Sequence, residues 1–523
     1  MKKSLFLTLI SLFAVLSAFV APGGETARAA ESRHQNHTLG AEEITLVDSS
    51  TNLNTKLSAS TSETYLPSDR KWNGIATSVS YGDNLFVAWY TGGTKEPHPD
   101  NYIPVAASSD GGKTWKDPFM IIDPTNSTSV VLPVFFVNGA GELFLYYSIL
   151  PGSKMYAVKL IGADGPLSGI TYEGPFKVSD RTGFVKPTIL SDGSIIYVTG
   201  DDDGYSGVYK SNYTKIATIK SEYVKPQKTY TEASVVERED GSLWMLSRLE
   251  KGYDGGMEQA FSYDKGITWT TSSGNLAHPL NGPGARTAFI KLKSGAIVFV
   301  SNDSLTDRTN MTAYMSVDGG ESWDYSLLID RYVSAYPEIY QDPDGRILVA
   351  YDKGRYTENG IRLSIFTEED LKAGEFVSKQ ARDKMVVTKL NQNYVDIVSL
   401  KEDFKPVYNY PVGTASAVIR GLLPTTVTAI GDNGNEYVLT GTWKSAGYNK
   451  DAAGTYYLTF KTEMPETLLD SYELLRVKVV LQKDEKKGCR SAVGGDGLIL
   501  SAIFVSSALI KGKKKIKEEK HEN

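Results

Sequence analysis

One cysteine, Cys489, and five histidines among 523 residues leave the chain without two common ways of holding a fold together. A lone cysteine cannot close an internal disulfide, and the histidines lack the spacing of a metal site, so no zinc and no cofactor is expected. There is no basic excess either. Lys and Arg number 56 against 62 Asp and Glu, a formal net charge of -6, which argues against nucleic acid as a partner. Long apolar runs are confined to the two ends. Stability must come from packed cores, and at 41% hydrophobic the chain can fill two or more of them.

Both apolar ends read as targeting or membrane segments. Lys2 and Lys3 precede an apolar run from Leu5 to Ala21, and Ala27-Arg28-Ala29 offers the small residues of a cleavage site. Residues 1–29 are therefore expected to be an export signal, and 30–60, rich in Ser, Thr and Asn, a flexible lead-in. At the far end the run Leu498 to Ile510, with the small residues before it, makes an apolar stretch of about 19 residues that just spans a bilayer core. Lys511, Lys513, Lys514, Lys515 and Lys517 follow it. Residues 483–523 thus read as a transmembrane anchor with a cytoplasmic basic tail, placing the rest at the cell surface.

What the chain has in abundance is Gly (48), Tyr (31) and polar-Gly turns, the signature of an all-β protein. A turn followed by an apolar strand recurs about every 50 residues: YGDNLFVAWY at 81, NGAGELFLYY at 138, LSDGSIIYVT at 190, REDGSLWMLS at 238, LKSGAIVFVS at 292 and DPDGRILVAY at 342. A second register, SxDxGxxW, appears as SSDGGKTW at 108, SYDKGITW at 262 and SVDGGESW at 316, with degenerate counterparts near Ala163-Asp164-Gly165, Ser211-Asn212 and Ser364. Units this small cannot bury both faces alone and must stack radially, so residues 61–385 are expected to form a six-bladed β-propeller. The SxDxGxxW pieces read as structural turns, Asp capping backbone N–H groups and Trp packing between strands. Residues 386–482 hold short alternating strands with Gly and Asn turns, consistent with a small sandwich.

Phase within the repeat singles out polar residues. Nine positions before the turn glycines Gly241, Gly295 and Gly345 stand Glu232, Arg286 and Tyr336; seven positions after them stand Arg248, Asn302 and Asp352. If the blades are equivalent, Glu232, Arg286, Tyr336, Arg248 and Asp352 share one central mouth, where packing alone would call for apolar residues. Taken singly, each has an ordinary reading as well: a rim ion pair for Glu232 and Arg248, a half-buried strand aromatic for Tyr336.

With these motifs the chain resembles the bacterial sialidases, whose Asp box is SxDxGxTW on a six-bladed propeller. The resemblance covers about 310 residues, and the segment after it resembles bacterial immunoglobulin-like domains. The family's Glu and Arg pattern is similar to Glu232 and Arg248. Its RxNLTxxxSxDxG pattern is similar to RTNMTAYMSVDGG, which makes Arg308 a carboxylate-binding arginine. Its tyrosine corresponds to Tyr336 in AYPEI, and its following Tyr-Glu to Tyr351-Asp352. The family's Arg-Ile-Pro motif of the first blade is replaced by Gly74-Ile75-Ala76, so one clamp arginine is missing. Arg70, four residues earlier, and Arg286 are the expected substitutes. The acid that precedes the first Asp box is expected at Asp100, on the strand face of Tyr102, with Glu96 and His98 behind it. Arg355 in YDKGRYTENG reads as an exposed turn residue.

The resemblance implies an exo-glycosidase acting on sialylated or other anionic glycoconjugates. Sialidases use tyrosine where other glycosidases use a carboxylate nucleophile, because the substrate's own carboxylate repels a second one. Glu232 would take the Tyr336 proton, Arg248 and Arg308 would grip the carboxylate, and Asp352 would orient an arginine. A non-catalytic glycan-binding propeller, or a glycosidase of the same scaffold with another sugar, remain the alternatives.

Overall fold

The computed structural model describes residues 70–483 except 125–128, 151–153, 180–181, 184, 201–205, 212–218, 223–228, 250–256, 267, 273–275 and 403, together with strands at 37–38, 44–48 and 53–59. The expected export signal and the apolar stretch at 498–510 lie outside the described residues. Among those described, no helix is long and apolar enough to cross a membrane.

Antiparallel four-stranded sheets follow one another along the chain and pack into a propeller-like ring. The first is Asn73–Tyr81, Asn84–Thr91, Ile103–Ser108 and Lys116–Pro124. The next begins at Ser129–Val137 and ends at Thr171–Ser179. A sheet built on Ile195–Gly200 and Ser206–Ser211 follows. Then come Thr229–Glu237 with Leu243–Leu249, Ala288–Lys291 with Ile297–Asn302, and Ser334–Gln341 with Ile347–Lys353. The last sheet packs against the first. Ala76, Val87 and Trp89 share a buried cluster with Leu348, Ala350 and Leu363, and that apolar burial closes the ring.

Two boundaries differ from expectation. Strand Arg382–Lys389 pairs with Gly360–Phe366 as the outer strand of the last sheet, so the repeat runs past 385. The lead-in is not uniformly irregular: Leu53–Ala59 pairs with Met120–Pro124 and Ile44–Asp48 with Leu53–Ala59. These segments cover the outer edge of the first sheet, whose ladder groups would otherwise be unpaired.

The Asp boxes are local turns, as their composition suggests. Asp110 Oδ1 accepts from the backbone N–H of Lys113 and Thr114, both at 3.0 Å, and Oδ2 from the Thr114 hydroxyl at 2.6 Å. Asp318 repeats the pattern with Glu321 and Ser322. These hydrogen bonds, led by those from Thr114 and Ser322, hold both carboxyl groups well below the usual carboxylate range. Gly320 sits at φ 97°, and a Cβ there would lie 2.3 Å from the Trp244 ring.

The innermost strands break regularity where the repeat phase points. Register shifts fall between Gly74 and Thr77, Val131 and Val134, Thr229 and Ala233, and Ala335 and Glu338. Ile75, Leu132 and Tyr336 take φ of 52°, 56° and 53°. A bulge re-aims side chains, and non-glycine residues hold positive φ only where their surroundings impose it.

By packing, the described residues divide into two compact units: those up to 404 with 423–444 and 459–476, and residues 405–422, 445–458 and 477–483. In the first, Trp443 packs between Phe404 (5.5 Å) and Phe460 (5.2 Å) and donates from Nε1 to the Pro424 carbonyl at 2.8 Å. In the second, Val407–Pro411 pairs in parallel with residues 478–482, and the Tyr448 hydroxyl donates to the Thr414 carbonyl at 2.8 Å.

Gly320→Ala is expected to destabilise the protein by about 1–3 kcal/mol, combining a left-handed backbone with a steric clash against Trp244. Denaturant titration measures it; Gly345→Ala, where a Cβ meets nothing within 4 Å, isolates the backbone part.

Candidate functional site

The N-terminal ends of the innermost strands, where the bulges fall, collect the ionisable residues. Tyr336 is 7% exposed, and its left-handed backbone lifts it out of the ladder between Ala335 and Glu338. Three guanidinium groups face its ring, with their central carbons 4.4 Å (Arg355), 4.9 Å (Arg308) and 6.0 Å (Arg248) from the centroid. Contacts at these distances are cation–π in geometry.

Arg248 is anchored on two sides. Its Nε donates to the Gly284 carbonyl at 2.7 Å and its Nη1 to Glu232 Oε2 at 2.5 Å. Burial alone would lower the pKa of this guanidinium, but Glu232 and Tyr336 raise it, each also as a hydrogen-bond partner. Glu232 therefore reaches Tyr336 through Arg248. The hairpin that carries both residues is closed by Asp240, whose Oδ1 accepts from the Ser242 N–H at 2.9 Å, with Gly241 at φ 81°.

A second knot of charge lies beside the first. Asp352 is 1% exposed; its Oδ1 accepts from the Ile75 N–H at 2.6 Å and its Oδ2 lies 3.4 Å from Arg355 Nε. Arg355 Nη2 also pairs with Glu96. Burial pushes the Asp352 carboxyl up to about 7, against the pull of Arg355, with Glu96 adding to the rise and the Ile75 N–H and Arg286 opposing it. Burial likewise raises Glu96, opposed first by Arg355. Arg286, 3% exposed, bears electrostatically on both carboxyls.

Five of the residues expected at the mouth are thus gathered with Tyr336: Glu232, Arg248, Arg286, Arg308 and Asp352. Arg70 is not. Its guanidinium makes a two-pronged pair with Asp117 at 2.7 and 2.8 Å and lies over Trp89 at 5.2 Å, so it is committed within the first sheet. Asp100 is not either: its side chain is 74% exposed and its ionic contact is His98, at 3.4 Å. The strand alternation invoked for Asp100 fails because residues 92–101 form a loop, not a strand. The Asn101 amide ties that loop to the carbonyls of Thr91, Gly92 and Lys95. The loop turns Glu96 inward instead. Arg355, expected to be exposed, is 6% exposed. Gly354, at φ 52°, accepts at its carbonyl from the N–H groups of Thr357 and Asn359, and this turn carries Arg355 back over the mouth. The three-residue spacing from Asp352 was the available signal for it.

A profile described as a BNR repeat-like domain matches residues 83–349, just over half of the chain. The chain belongs to the BNR repeat-like domain family. The search of curated proteins returned no match. Among solved structures, the Hadza microbial sialidase Hz136 is 20% identical over 54% of this chain, at a TM-score of 0.44. This chain spans 63% of that protein, less than two thirds of it. The intramolecular trans-sialidase of Ruminococcus gnavus is 15% identical, covering 58% of this chain and 96% of its own, at 0.46. The leech intramolecular trans-sialidase is 15% identical, covering 58% and 69%, at 0.44. In this BNR repeat-like domain a separate cavity of about 510 Å³, lined among others by Glu237, Lys291, Lys293 and Gln341, opens at the opposite ends of the innermost strands. It contains none of the expected site residues.

The raised Asp352 pKa has a stability consequence. In the folded state Asp352 holds its proton to higher pH than in the unfolded chain, so its contribution is full below about pH 4 and is lost as pH rises toward about 7. The stability difference between wild type and Asp352→Asn is expected to shrink or turn unfavourable to wild type across that interval and to level off above it. Chemical denaturation at several pH values reads the slope; a difference independent of pH contradicts the assignment.

Proposed function

We propose that this protein is an exo-glycosidase of the sialidase type that removes a terminal sialic acid, or a related anionic keto-sugar, through a tyrosine nucleophile. The observation that carries this reading is Tyr336, buried on a strained backbone, facing three guanidinium groups and coupled to Glu232 through Arg248. A packing tyrosine needs neither the strain nor the cations.

In this reading Arg248 and Arg308 hold the sugar carboxylate by charge-assisted hydrogen bonds. Glu232 accepts the phenolic proton as the Tyr336 oxygen bonds to the anomeric carbon. The bond to the leaving oxygen breaks, and that oxygen takes the Glu96 proton; a carboxyl held up by burial suits the acid role. Water, or a hydroxyl of the sugar itself, then attacks the anomeric carbon and gives its proton to the Glu96 carboxylate, while the bond to Tyr336 breaks and the phenolic oxygen takes back its proton from Glu232. The surrounding cations stabilise the charge that develops on the phenolic oxygen. Six blades, an immunoglobulin-like segment after the ring, export by residues 1–29 and anchoring by the apolar stretch at 498–510 complete this view of a surface enzyme acting on glycoconjugates. The absence of an arginine at Gly74 favours the second reading, a propeller that binds anionic glycans without cleaving them.

Release of fluorophore from an aryl sialoside decides between them. Wild type is expected to turn over, and Tyr336→Phe to lose roughly 10³-fold or more in kcat. Glu96→Gln is expected to cost about 10²–10⁴-fold on sialyllactose but far less on the aryl substrate, whose leaving group needs little protonation. Turnover by Tyr336→Phe at the wild-type rate sinks the mechanism, and tight glycan binding without any turnover selects the binding protein.

A further inference from the structure

We propose that Arg355 is a substrate-anchoring residue that supplies, from the last sheet, the carboxylate contact for which the first sheet has no arginine. The inference rests on the sialidase-type reading and names a specificity-determining group within it.

Three observations on the geometry carry it. Arg355 lies closer to the Tyr336 ring than Arg308 or Arg248 does, and its guanidinium carbon is also 4.6 Å from the Trp72 ring centroid, so two rings hold it in place. An arginine held against aromatic rings can still present its planar fork of donors to a carboxylate.

The space it fills is the space a side chain at position 74 would need. A Cβ on Gly74 would come within 2.7 Å of Arg355 Nη2 and 2.2 Å of the Trp72 ring. Glycine at 74 and arginine at 355 are therefore one arrangement: the first sheet withdraws its side chain and the last sheet fills the gap. Asp352 joins the two, taking the Ile75 N–H with one oxygen and facing Arg355 Nε with the other.

The present partner of Arg355 Nη2 is itself a carboxylate. Glu96 stands on the 92–101 loop with its side chain 24% exposed, while its Oε2 is buried with no hydrogen-bond partner among the described residues. An incoming sugar carboxylate has the same charge and shape and would compete for the same nitrogen. Displaced from Arg355, Glu96 loses the ion pair that favours its charged form, which readies it to hold a proton beside the leaving group. A purely structural Arg355 would instead clamp the loop equally for charged and neutral ligands.

The test compares 2-deoxy-2,3-didehydro-N-acetylneuraminic acid with its methyl ester on wild type, Arg355→Lys and Arg355→Met. Affinity is read by calorimetry, KM and kcat on the aryl sialoside by fluorescence, and folding by thermal melting. Wild type is expected to prefer the free acid. Arg355→Met should weaken the acid by about 10- to 100-fold and leave the ester unchanged. Arg355→Lys should retain part of the preference, since it keeps the charge but not the planar fork. In wild type, where no variant is needed, Trp72 fluorescence should respond to the acid and not to the ester. Equal losses for acid and ester, or an unchanged acid preference in either variant, overturns the role of Arg355 while leaving sialidase turnover intact. Wild type that neither binds the acid nor turns over the sialoside overturns the functional reading, and the role of Arg355 with it.

Discussion

At the mouth, a buried carboxyl group joins the two ends of the ring. Asp352 belongs to the last sheet, yet one of its oxygens takes the N–H of Ile75 in the first, at a backbone position of positive φ. A buried carboxyl group needs hydrogen-bond partners, and a buried N–H must be satisfied. Asp352 meets both demands only if first and last sheets are in register, with Arg355 close by. Apolar burial of Ala76, Val87 and Trp89 against Leu348, Ala350 and Leu363 holds the sheets together; Asp352 determines how they meet at the mouth.

The same economy governs the rest of the mouth. Arginines are costly to bury, and here two of them are offset by carboxylates: Arg248 by Glu232, Arg355 by Asp352 and Glu96. The anionic partners sit behind or beside the guanidinium groups, leaving Tyr336 among cations. Arg70 shows the contrast. It is as buried as Arg355, but its two-pronged pair with Asp117 satisfies both terminal nitrogens away from the mouth. Burial of arginine alone therefore does not mark the site; the orientation of its remaining donors does. The large cavity at the opposite end of the innermost strands is lined by charged residues too, Glu237, Lys291 and Lys293 among them, but by none of the mouth residues.

Much of the architecture was legible in the chain because it is periodic. Turn glycines and Asp boxes recur at a near-constant interval, and each unit is a local hairpin whose hydrogen bonds close within a few residues, as Asp110 and Asp318 show. Phase within that period alone places Glu232, Arg286, Tyr336, Arg248 and Asp352 on one rim. The bulges on the innermost strands were invisible, because a one-residue irregularity leaves no mark in an apolar pattern.

What failed did so where the chain leaves the period. Strand alternation points to Asp100, and alternation has no meaning in a loop tied together by the Asn101 amide; the loop exposes Asp100 and turns the partly buried Glu96 toward Arg355. Arg355 follows a turn whose reversal depends on Gly354 and on contacts with the first sheet, far away in sequence. The amino-acid sequence by itself determined the all-β repeat, the turn chemistry and the phase of the mouth residues, since these rest on interactions within one unit. Only the tertiary structure decided which loop carboxylate faces inward and which arginine stands beside Gly74. Those choices depend on how the last sheet meets the first, and no local pattern encodes a contact between residues 74 and 355.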